Sequence, residues 1–374
     1  MSDSEIDRRL MQAALRLGRR NEGQAWPNPF VGALIVQWSE GSPKIVGRGW
    51  TASGGRPHAE TVALAEAGDL ARGADCYVTL EPCSHTGKTP PCADALIAAG
   101  IRRCVVATTD PNPKVAGEGV AKLRKAGIEV ETGCLEARAR EDHRGHFTRI
   151  TRGRPATLLK LAVSADGYAG RTDRGNVAIT GEEARARTHR MRSLNDAILV
   201  GIGTVLADDP ALTCRLPGLE DRSPVRVVAD SRLRLPPDSR LARTARDVPV
   251  WVLTGPDADA GAAERLAALG VEILPVAAGA DGRVDPEAGL RMLAGKGITL
   301  AMVEGGPALA EALLKRDLVD RAAIYRSSVE IGETFGLPAF PGSSLDEVLA
   351  DARFDRLEDE AMGADRLHRL KRKD

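Results

Sequence analysis

One segment of the sequence, between Arg56 and Gly100, holds a histidine, a glutamate and two cysteines that could bind and use a metal ion. These residues are His58, Glu60, Cys83 and Cys92. Zinc favours imidazole and thiolate ligands in a tetrahedral arrangement, and a catalytic zinc keeps one of its four positions for water. We therefore predict that His58, Cys83 and Cys92 hold one Zn²⁺ ion and that water takes the fourth position.

Glu60 is predicted to move protons for that water. Two thiolates neutralise the charge of the dication, so the water is acidified less than at a three-histidine site and needs a nearby base. The pattern H-x-E followed by P-C-x-x-C is typical of zinc deaminases, in which the glutamate is the acid/base. Here an eight-residue insert, SHTGKTPP, separates the two cysteines. A structural zinc would need a fourth protein ligand, for which His85 is the near candidate, but this alternative leaves Glu60 without a role.

The elements that must position these residues alternate between strands and helices. HAETVALAEAG and PCADALIAAG have helical patterns, and each predicted ligand stands at or just before a helix start, where the helix dipole stabilises a thiolate. Alternating strands and helices predict α/β layers with parallel strands. A basic stretch at 148–156, with Gly153 and Pro155, is interpreted as a linker, which gives domains at 1–148 and 149–374.

Composition excludes several classes of function. The chain has 374 residues, enough for two domains, and its 52 basic and 52 acidic side chains balance to zero net charge. A neutral chain with 3% aromatic residues does not favour binding to nucleic acid. No apolar run approaches the roughly 20 residues that span a bilayer. We expect a cytoplasmic protein with no membrane or nucleic-acid partner, whose six cysteines are ligands or core residues and not disulfides.

Four segments resemble the bifunctional riboflavin-biosynthesis deaminase/reductase family, and the long insert between the cysteines is typical of that family. The segments are WPNPFVGALIV, GRPHAETVAL, YVTLEPCSHTGKTPPCADALIAAGI and TTDPNPKVAGEGV. The resemblance implies a cytidine-deaminase-like three-layer α/β/α domain that hydrolyses an amino group from a diaminopyrimidinone ribosyl phosphate. Glu60 would carry a proton from water to the leaving ammonia. The resemblance also implies substrate contacts by Asn28, His85, Lys88, Asp110 and Asn112, although NP and DPNP are strong turn formers without any ligand.

The second half resembles the reductase domain of the same family. Its Gly201-Ile202-Gly203 fails as a dinucleotide fingerprint because Leu206 replaces the third glycine, whereas the Gly305-Gly306-Pro307 turn before a helix could approach a phosphate. The resemblance implies a dihydrofolate-reductase-like α/β domain that uses NADPH to reduce the ribosyl group to ribityl. The implied cofactor contacts are Ala162, Thr204, Asp208, Ser231 and Gly306. The implied substrate contacts are Arg192, Leu212, Arg215 and Glu304, with the two arginines suited to a phosphate.

Some positions of the second half depart from the family pattern. Ala165 stands in the family's SLDG turn, Asn176-Val177-Ala178 lacks an expected tryptophan, and RSSVEIGETFGLPAF replaces a family strand after Ile324. These departures leave open a deaminase whose degenerate reductase half serves oligomerisation or binding. A nucleic-acid-editing deaminase is a third alternative, which the composition disfavours. For the two-site enzyme we expect a small phosphoribosyl pyrimidine substrate and a homo-oligomer.

Overall fold

The computed structural model describes residues 3–39, 42–85, 90–113, 115–173 and 177–373, and the chain forms two compact units. Unit 1 is Met1–Gly153 and unit 2 is Arg154–Asp374. The helices and strands of unit 1 are α1 (Asp3–Gly18), β1 (Gly32–Ser39), β2 (Ser42–Trp50), α2 (Ala59–Ala67), β3 (Asp75–Val78), α3 (Cys92–Ala98), β4 (Arg103–Val106), α4 (Glu118–Lys125), β5 (Glu129–Thr132), α5 (Glu136–Asp142) and α6 (Arg144–Arg152).

Unit 1 contains one mixed five-stranded sheet in the order β2-β1-β3-β4-β5. Strands β3, β4 and β5 run parallel, as the alternating pattern predicted. The prediction of parallel strands is wrong for β1, which is antiparallel to both β2 and β3. Only two residues separate β1 from β2 in the chain, and a parallel pair needs a crossover of a dozen residues or more.

Helices cover both faces of this sheet, so unit 1 has three layers. On one face α1 packs Leu10, Met11 and Leu15 against the sheet. On the other face the buried residues of α2, α3 and α4 pack against strands β1, β3 and β4. Helix α2 lies very close to β2, because a Cβ atom on Gly49 would stand 1.9 Å from the carbonyl oxygen of Ala59. The helix that begins after His58 is therefore seated directly on the sheet.

Unit 2 is built on a larger sheet. Its elements are β6 (Ala156–Val163), β7 (Tyr168–Arg171), α7 (Glu182–Arg192), β8 (Ala197–Gly201), α8 (Ile202–Asp208), β9 (Val225–Ala229), α9 (Arg240–Arg243), β10 (Val250–Thr254), α10 (Ala260–Ala268), β11 (Val271–Pro275), α11 (Pro286–Gly295), β12 (Leu300–Val303), α12 (Pro307–Lys315), β13 (Arg321–Arg326), β14 (Gly336–Pro338), α13 (Leu345–Leu349), β15 (Phe354–Arg356), β16 (Glu360–Met362) and β17 (Asp365–Arg372). Four short 3₁₀ helices are also described. Three lie in unit 1, at Arg19–Asn21, Ser53–Gly55 and Gly68–Ala71, and one lies in unit 2, at Glu220–Arg222.

The strand order of the large sheet is β11-β10-β9-β8-β12-β6-β13-β17-β15, with β16 also paired to β17. Every pair from β11 to β13 is parallel, and β17 is antiparallel to β13. The parallel strands are continuous apolar runs such as VWVLT in β10, which is buried throughout. Because the carboxyl ends of parallel strands meet at one edge, the loops after β8, β9 and β12 converge there.

The structure places the division between the units later than the sequence interpretation. The boundary at 148/149 falls inside α6, and the units divide after Gly153, which ends α6 in a left-handed conformation with φ of 67°. The basic composition of this stretch concealed a helix, in which Arg149 is half-buried and Arg152 is exposed.

The divergent segment after Ile324 has a defined place in unit 2. Strand β13 includes Ile324 and lies inside the large sheet, whereas β14 leaves that sheet and pairs with β7. Asp166, in the turn before β7, accepts backbone N–H bonds from Ile331 and Gly332 and so anchors this segment. No helix among the described residues has the length and apolar character needed to cross a bilayer.

Candidate active sites

The three predicted metal ligands of unit 1 converge at one point. The ligand atoms of His58, Cys83 and Cys92 all lie within 4.8 Å of one another. The His58 Nδ1 atom is 3.3 Å from Cys92 Sγ and 3.7 Å from Cys83 Sγ. Zinc bonds of about 2.0 Å to nitrogen and 2.3 Å to sulfur, at a tetrahedral angle, would put these atoms about 3.5 Å apart. The arrangement therefore fits a zinc ion.

Local structure explains how the ligands are held. His58 is the N-cap of α2 and Cys92 is the first residue of α3, as predicted. Cys83 was also predicted at a helix start, but it lies in the loop that follows β3 and precedes α3. Its sulfur nevertheless reaches the start of α3, because Cys83 Sγ accepts the backbone N–H of Cys92 at 3.3 Å. Cys83 is therefore not the first residue of a helix, but folding brings its sulfur to the N-terminus of α3.

The charges of the two thiols also fit a site that binds a cation. Hydrogen bonding from Cys92 and the neighbouring His58 lower the pKa of Cys83 to about 4, against the effect of burial. The Cys83 thiolate, followed by burial, in turn raises the pKa of Cys92. Two adjacent thiolates are unfavourable without a positive charge between them, and a divalent ion removes that penalty.

Glu60 lies beside this group and is buried, with 4% of its surface exposed. Burial, with a smaller contribution from the Cys83 charge, raises the pKa of its carboxyl to about 7, while a backbone hydrogen bond, His58 and a contact with Cys92 act in the opposite direction. A carboxyl whose pKa is near neutrality can both accept and release a proton at physiological pH. The geometry therefore agrees with the predicted acid/base role of Glu60.

The predicted substrate residues of unit 1 are only partly assembled around the ligands. Asn28 lies against the site: its Nδ2 atom is 3.4 Å from His58 Nε2 and donates to the Gly55 carbonyl at 2.7 Å. His85 is exposed in the ligand loop. Lys88 lies outside the described residues. Asp110 accepts from the backbone of Asn112 at 2.8 Å and lies 3.1 Å from His146 Nε2, so the DPNP segment has the turn structure that it forms without ligand.

Glu81 is a site residue that sequence reasoning missed. Its buried carboxylate accepts three backbone N–H bonds of 3.0–3.1 Å, from Asp110, Gly117 and Val120. Helix α4 also touches the ligand loop, because a Cβ atom on Gly119 would lie 2.0 Å from the carbonyl oxygen of Pro82. Glu81 therefore fastens the loop that carries Cys83 to the DPNP turn and to α4. The sequence did contain a signal for this role, because Glu81 is the glutamate of the EPC motif. The zinc site could be predicted from its ligands alone, so this glutamate was not assigned a role.

In unit 2, Arg192 and Glu304 form a part-buried bidentate ion pair, with distances of 2.7 Å and 2.8 Å. Arg192 also donates to the Thr213 carbonyl at 3.0 Å. Burial would raise the pKa of Glu304, but Arg192 and then Lys160 hold it below its usual value. Lys160, which the sequence analysis missed, is part-buried, and its removal from water lowers its pKa. A part-buried cluster of charges with shifted pKa values is typical of a functional site.

The other predicted substrate residues of unit 2 lie around the same cluster. Arg215 is exposed, and its backbone N–H donates to His189 Nδ1 at 3.3 Å. Leu212 is buried and has a left-handed backbone with φ of 54°. Because Glu304 and Thr213 already occupy three N–H groups of Arg192, Arg215 is the more available cation for a phosphate.

The predicted cofactor residues fall at the carboxyl edge of the large sheet. A cavity of about 700 Å³ lies there, and Ser231 lines it. Thr204 and Gly306 adjoin one another: a Cβ atom on Gly306 would lie 3.6 Å from Thr204 Oγ1. Asp208 is exposed at the end of α8, and Ala162 pairs with Tyr325 in the sheet, but neither lines the cavity. Asn176 lies outside the described residues, so its predicted effect on the nicotinamide stays a prediction.

Two family models match the chain, one in each unit. The Cytidine and deoxycytidylate deaminase zinc-binding region matches residues 4–108, and the RibD C-terminal domain matches residues 155–365. The chain is 41% identical over 345 residues to the Riboflavin biosynthesis protein RibD of Aquifex aeolicus. The matched region covers 92% of this chain and 93% of that protein. It is 38% identical over 367 residues to the protein of the same name in Escherichia coli, covering 92% and 94%.

Solved structures agree over the whole length. Form 1 of Acinetobacter baumannii RibD is 34% identical, covers 100% of both chains and has a TM-score of 0.86. A diaminohydroxyphosphoribosylaminopyrimidine deaminase/5-amino-6-(5-phosphoribosylamino)uracil reductase of Thermotoga maritima is 32% identical, covers 100% of both chains and has a TM-score of 0.83. Both solved structures therefore match unit 1 and unit 2 of this chain.

Proposed function

Because the chain belongs to the RibD family of riboflavin biosynthesis proteins, we propose that its two sites act on successive pyrimidine intermediates. Unit 1 would remove an amino group from diaminohydroxyphosphoribosylaminopyrimidine, and unit 2 would reduce the ribosyl side chain of the deaminated product. The observation that carries this proposal is the convergence of His58, Cys83 and Cys92 beside the buried carboxyl of Glu60.

The residues of unit 1 divide the work of deamination. His58, Cys83 and Cys92 would hold Zn²⁺, which supplies Lewis acidity and an activated water when bound. Glu60, whose pKa of about 7 allows it to accept and release a proton, would move a proton from water to the departing amine. Asn28, adjacent to His58, is the candidate that would orient the pyrimidine. Glu81 holds the ligand loop against the DPNP turn, where Asp110 and Asn112 are further candidates for substrate contact.

The residues of unit 2 would bind the nicotinamide cofactor and the substrate and orient them for reduction. A nicotinamide cofactor supplies the hydride when bound, and the cavity that Ser231 lines would hold it. Lys160, Arg192 and Glu304 form a part-buried charged cluster that would supply a proton donor for the reduction. Arg215 is the candidate for the substrate phosphate. The retained cluster argues against a degenerate reductase half.

The direct test is to offer the purified chain the diaminopyrimidinone ribosyl phosphate, with and without NADPH, and to identify the products by mass. We expect loss of the amino group without NADPH, and additional reduction of the sugar with NADPH. Deamination without reduction under both conditions would support the degenerate-reductase alternative instead. Light scattering would test the proposed homo-oligomer, and cell fractionation would test the proposed cytoplasmic location.

A further inference from the structure

Helix α6, the last helix of unit 1, contacts both of the segments outside the ligand loop that carry predicted substrate residues. His146 reaches the DPNP turn, because its Nε2 atom lies 3.1 Å and 3.2 Å from the two carboxylate oxygens of Asp110. Arg149 reaches the WPNP segment, where it donates to the carbonyl of Pro27 at 2.8 Å, next to Asn28. Residues three apart lie on the same side of a helix, so one side of α6 supports both segments.

The contact between His146 and Asp110 is shielded from water, since only 10% and 12% of the two side-chain surfaces are exposed. An ionised carboxylate only accepts hydrogen bonds, so the Nε2 atom of His146 carries the proton and donates. The backbone N–H of Asn112 donates to the same carboxylate, at 2.8 Å from Oδ1. A carboxylate has about four acceptor sites, so these two donors fix its orientation and leave an acceptor site on Oδ2 for a ligand.

Arg149 constrains the WPNP segment where that segment has few backbone donors of its own. Pro27 and Pro29, on either side of Asn28, have no N–H group. The Asn28 side chain lies at the metal ligands, with Nδ2 3.4 Å from His58 Nε2. The bond from Arg149 to the Pro27 carbonyl therefore holds the backbone beside Asn28 while the Asn28 amide lies against the site.

Helix α6 is itself fixed to the rest of unit 1. Phe147 packs against the core beneath the sheet face that carries α2, α3 and α4. His143 donates from Nε2 to the Thr79 carbonyl at 3.1 Å, and Arg144 donates to Glu22 at 3.0 Å. These contacts give the helix a fixed position from which it can orient the two substrate segments.

We propose that His146 and Arg149 are positioning residues for deamination, His146 by orienting the Asp110 carboxylate toward the pyrimidine and Arg149 by holding the backbone beside Asn28. This inference rests on the proposed function, in which unit 1 binds a diaminopyrimidinone at the metal site. Both residues act through another residue and touch no reacting atom. Their loss should therefore weaken substrate binding and raise KM more than it lowers kcat.

Replacing His146 tests the first contact in the full chain, by ammonia release in the absence of NADPH. His146→Ala should raise KM by roughly tenfold or more, the effect of losing one hydrogen bond to a charged group, while kcat, zinc content and melting temperature change little. His146→Gln, whose amide N–H can still donate to Asp110, should recover part of the loss. If His146→Ala does not fold, His146→Phe takes its place, because it keeps a ring but has no N–H. In a Glu60→Gln background, where turnover is blocked, titration calorimetry should show the same rise in the Kd of the substrate.

A double-mutant cycle separates positioning from general damage to unit 1. If His146 acts through Asp110, adding His146→Ala to Asp110→Asn should raise KM little beyond the effect of Asp110→Asn alone. Equal effects of His146→Ala in both backgrounds would show that His146 does not act through this carboxylate.

Replacing Arg149 tests the second contact in the same assays. Arg149→Ala should raise KM by roughly two- to tenfold, the effect of one ordinary hydrogen bond, and Arg149→Lys should recover part of the loss because an ammonium group still donates. Thr151→Ala is the matched control on α6, because Thr151 is exposed and its hydroxyl bonds to the Phe147 carbonyl within the helix.

The outcomes separate this inference from the function on which it rests. If the unaltered chain releases no ammonia from the diaminopyrimidinone, the deaminase assignment fails together with the inference. If the unaltered chain is active and the His146 and Arg149 variants keep its KM, the deaminase assignment stands and the positioning role is wrong. A fall in melting temperature and zinc content with unchanged KM would likewise overturn it, because that result indicates a structural role alone.

Discussion

Burial sets the protonation of individual side chains in unit 1, and two of them show opposite consequences. Glu60 is a buried acid whose pKa rises to about 7, so that it can carry a proton. His143 is a buried base whose pKa falls to about 3, chiefly because of burial and then because of nearby His146. In each case removal from water disfavours the charged form. Glu60 is the predicted proton carrier of deamination, and His143 makes the stability of unit 1 depend on pH.

Replacing Glu60 tests the proton carrier directly. Glu60→Gln keeps the size of the side chain but cannot exchange a proton, so we expect ammonia release to fall by about 10²- to 10⁴-fold. Zinc content, measured by elemental analysis, should stay near that of the unaltered chain because Glu60 is not a ligand. An active Glu60→Gln variant with full zinc would refute the role of this carboxyl.

His143 should destabilise unit 1 in acid. Its Nε2–H donates to the Thr79 carbonyl at 3.1 Å, and its buried Nδ1 has no partner within the described residues. Burial therefore outweighs the stabilisation that Thr79 and Asp110 give to the charged ring. Burial holds the pKa of His143 in the folded chain below the ordinary histidine value of 6.5, so stability that is present above pH 6.5 is lost as the pH falls toward 3. Between pH 7.5 and pH 5 the free energy of unfolding should fall by on the order of 2 kcal/mol, because pH 5 lies about 1.5 pH units below the ordinary pKa of histidine.

Denaturant unfolding of the unaltered chain and of His143→Gln at both pH values measures this loss. The variant should lose less stability than the unaltered chain on acidification. His85→Gln, an exposed histidine in the same unit, is the control and should behave as the unaltered chain. Equal acid sensitivity in His143→Gln and the unaltered chain would contradict the assignment.

At the scale of elements, close contacts between helices and loops set the position of the metal ligands. Helix α2 sits on β2 at Gly49, and α4 sits on the ligand loop at Gly119, where only a hydrogen atom fits. Glu81 adds three backbone hydrogen bonds across the same contact. These contacts hold His58 and Cys83, which come from separate segments, at ligand distance. The site is therefore preorganised by packing as well as by any metal.

Glu81→Gln should loosen this junction. An amide offers one acceptor oxygen where the carboxylate offers two, so at least one buried N–H of Asp110, Gly117 or Val120 loses its partner, at about 1–3 kcal/mol. We expect a lower melting temperature for unit 1 and a higher KM for deamination, with zinc content largely kept. Glu118→Gln, exposed on α4, is the matched control. Unchanged KM and unchanged melting would show that Glu81 does not position the DPNP turn.

At the scale of the whole molecule, each unit has its own sheet, its own core and its own site. The predicted zinc ligands and Glu60 belong to unit 1, and the Arg192–Glu304 pair and the cavity that Ser231 lines belong to unit 2. The two activities should therefore be lost independently.

Arg215→Ala should raise the KM of the reductase for the deaminated substrate by tenfold or more, through loss of a charge-assisted phosphate contact. Ammonia release from the first substrate should not change. NADPH oxidation at the absorbance of the reduced nicotinamide and an ammonia assay measure the two steps. Removing zinc with a chelator is the reciprocal control, which should abolish ammonia release and spare NADPH oxidation. Joint loss of both activities in either experiment would contradict two separate sites.

The sequence by itself determined the ligand set, the acid/base residue and most helices and strands, because these depend on residue type and short-range spacing. His58 and Glu60 are two residues apart, and β10 is one unbroken apolar run. Only the tertiary structure decided the direction of β1, the approach of Cys83 to the start of α3, and the roles of Glu81 and Lys160. It also decided that Arg192 is engaged by Glu304 while Arg232 and Arg283 meet at one cavity. These features join residues far apart in the chain, and no local pattern encodes which distant partner a side chain will meet.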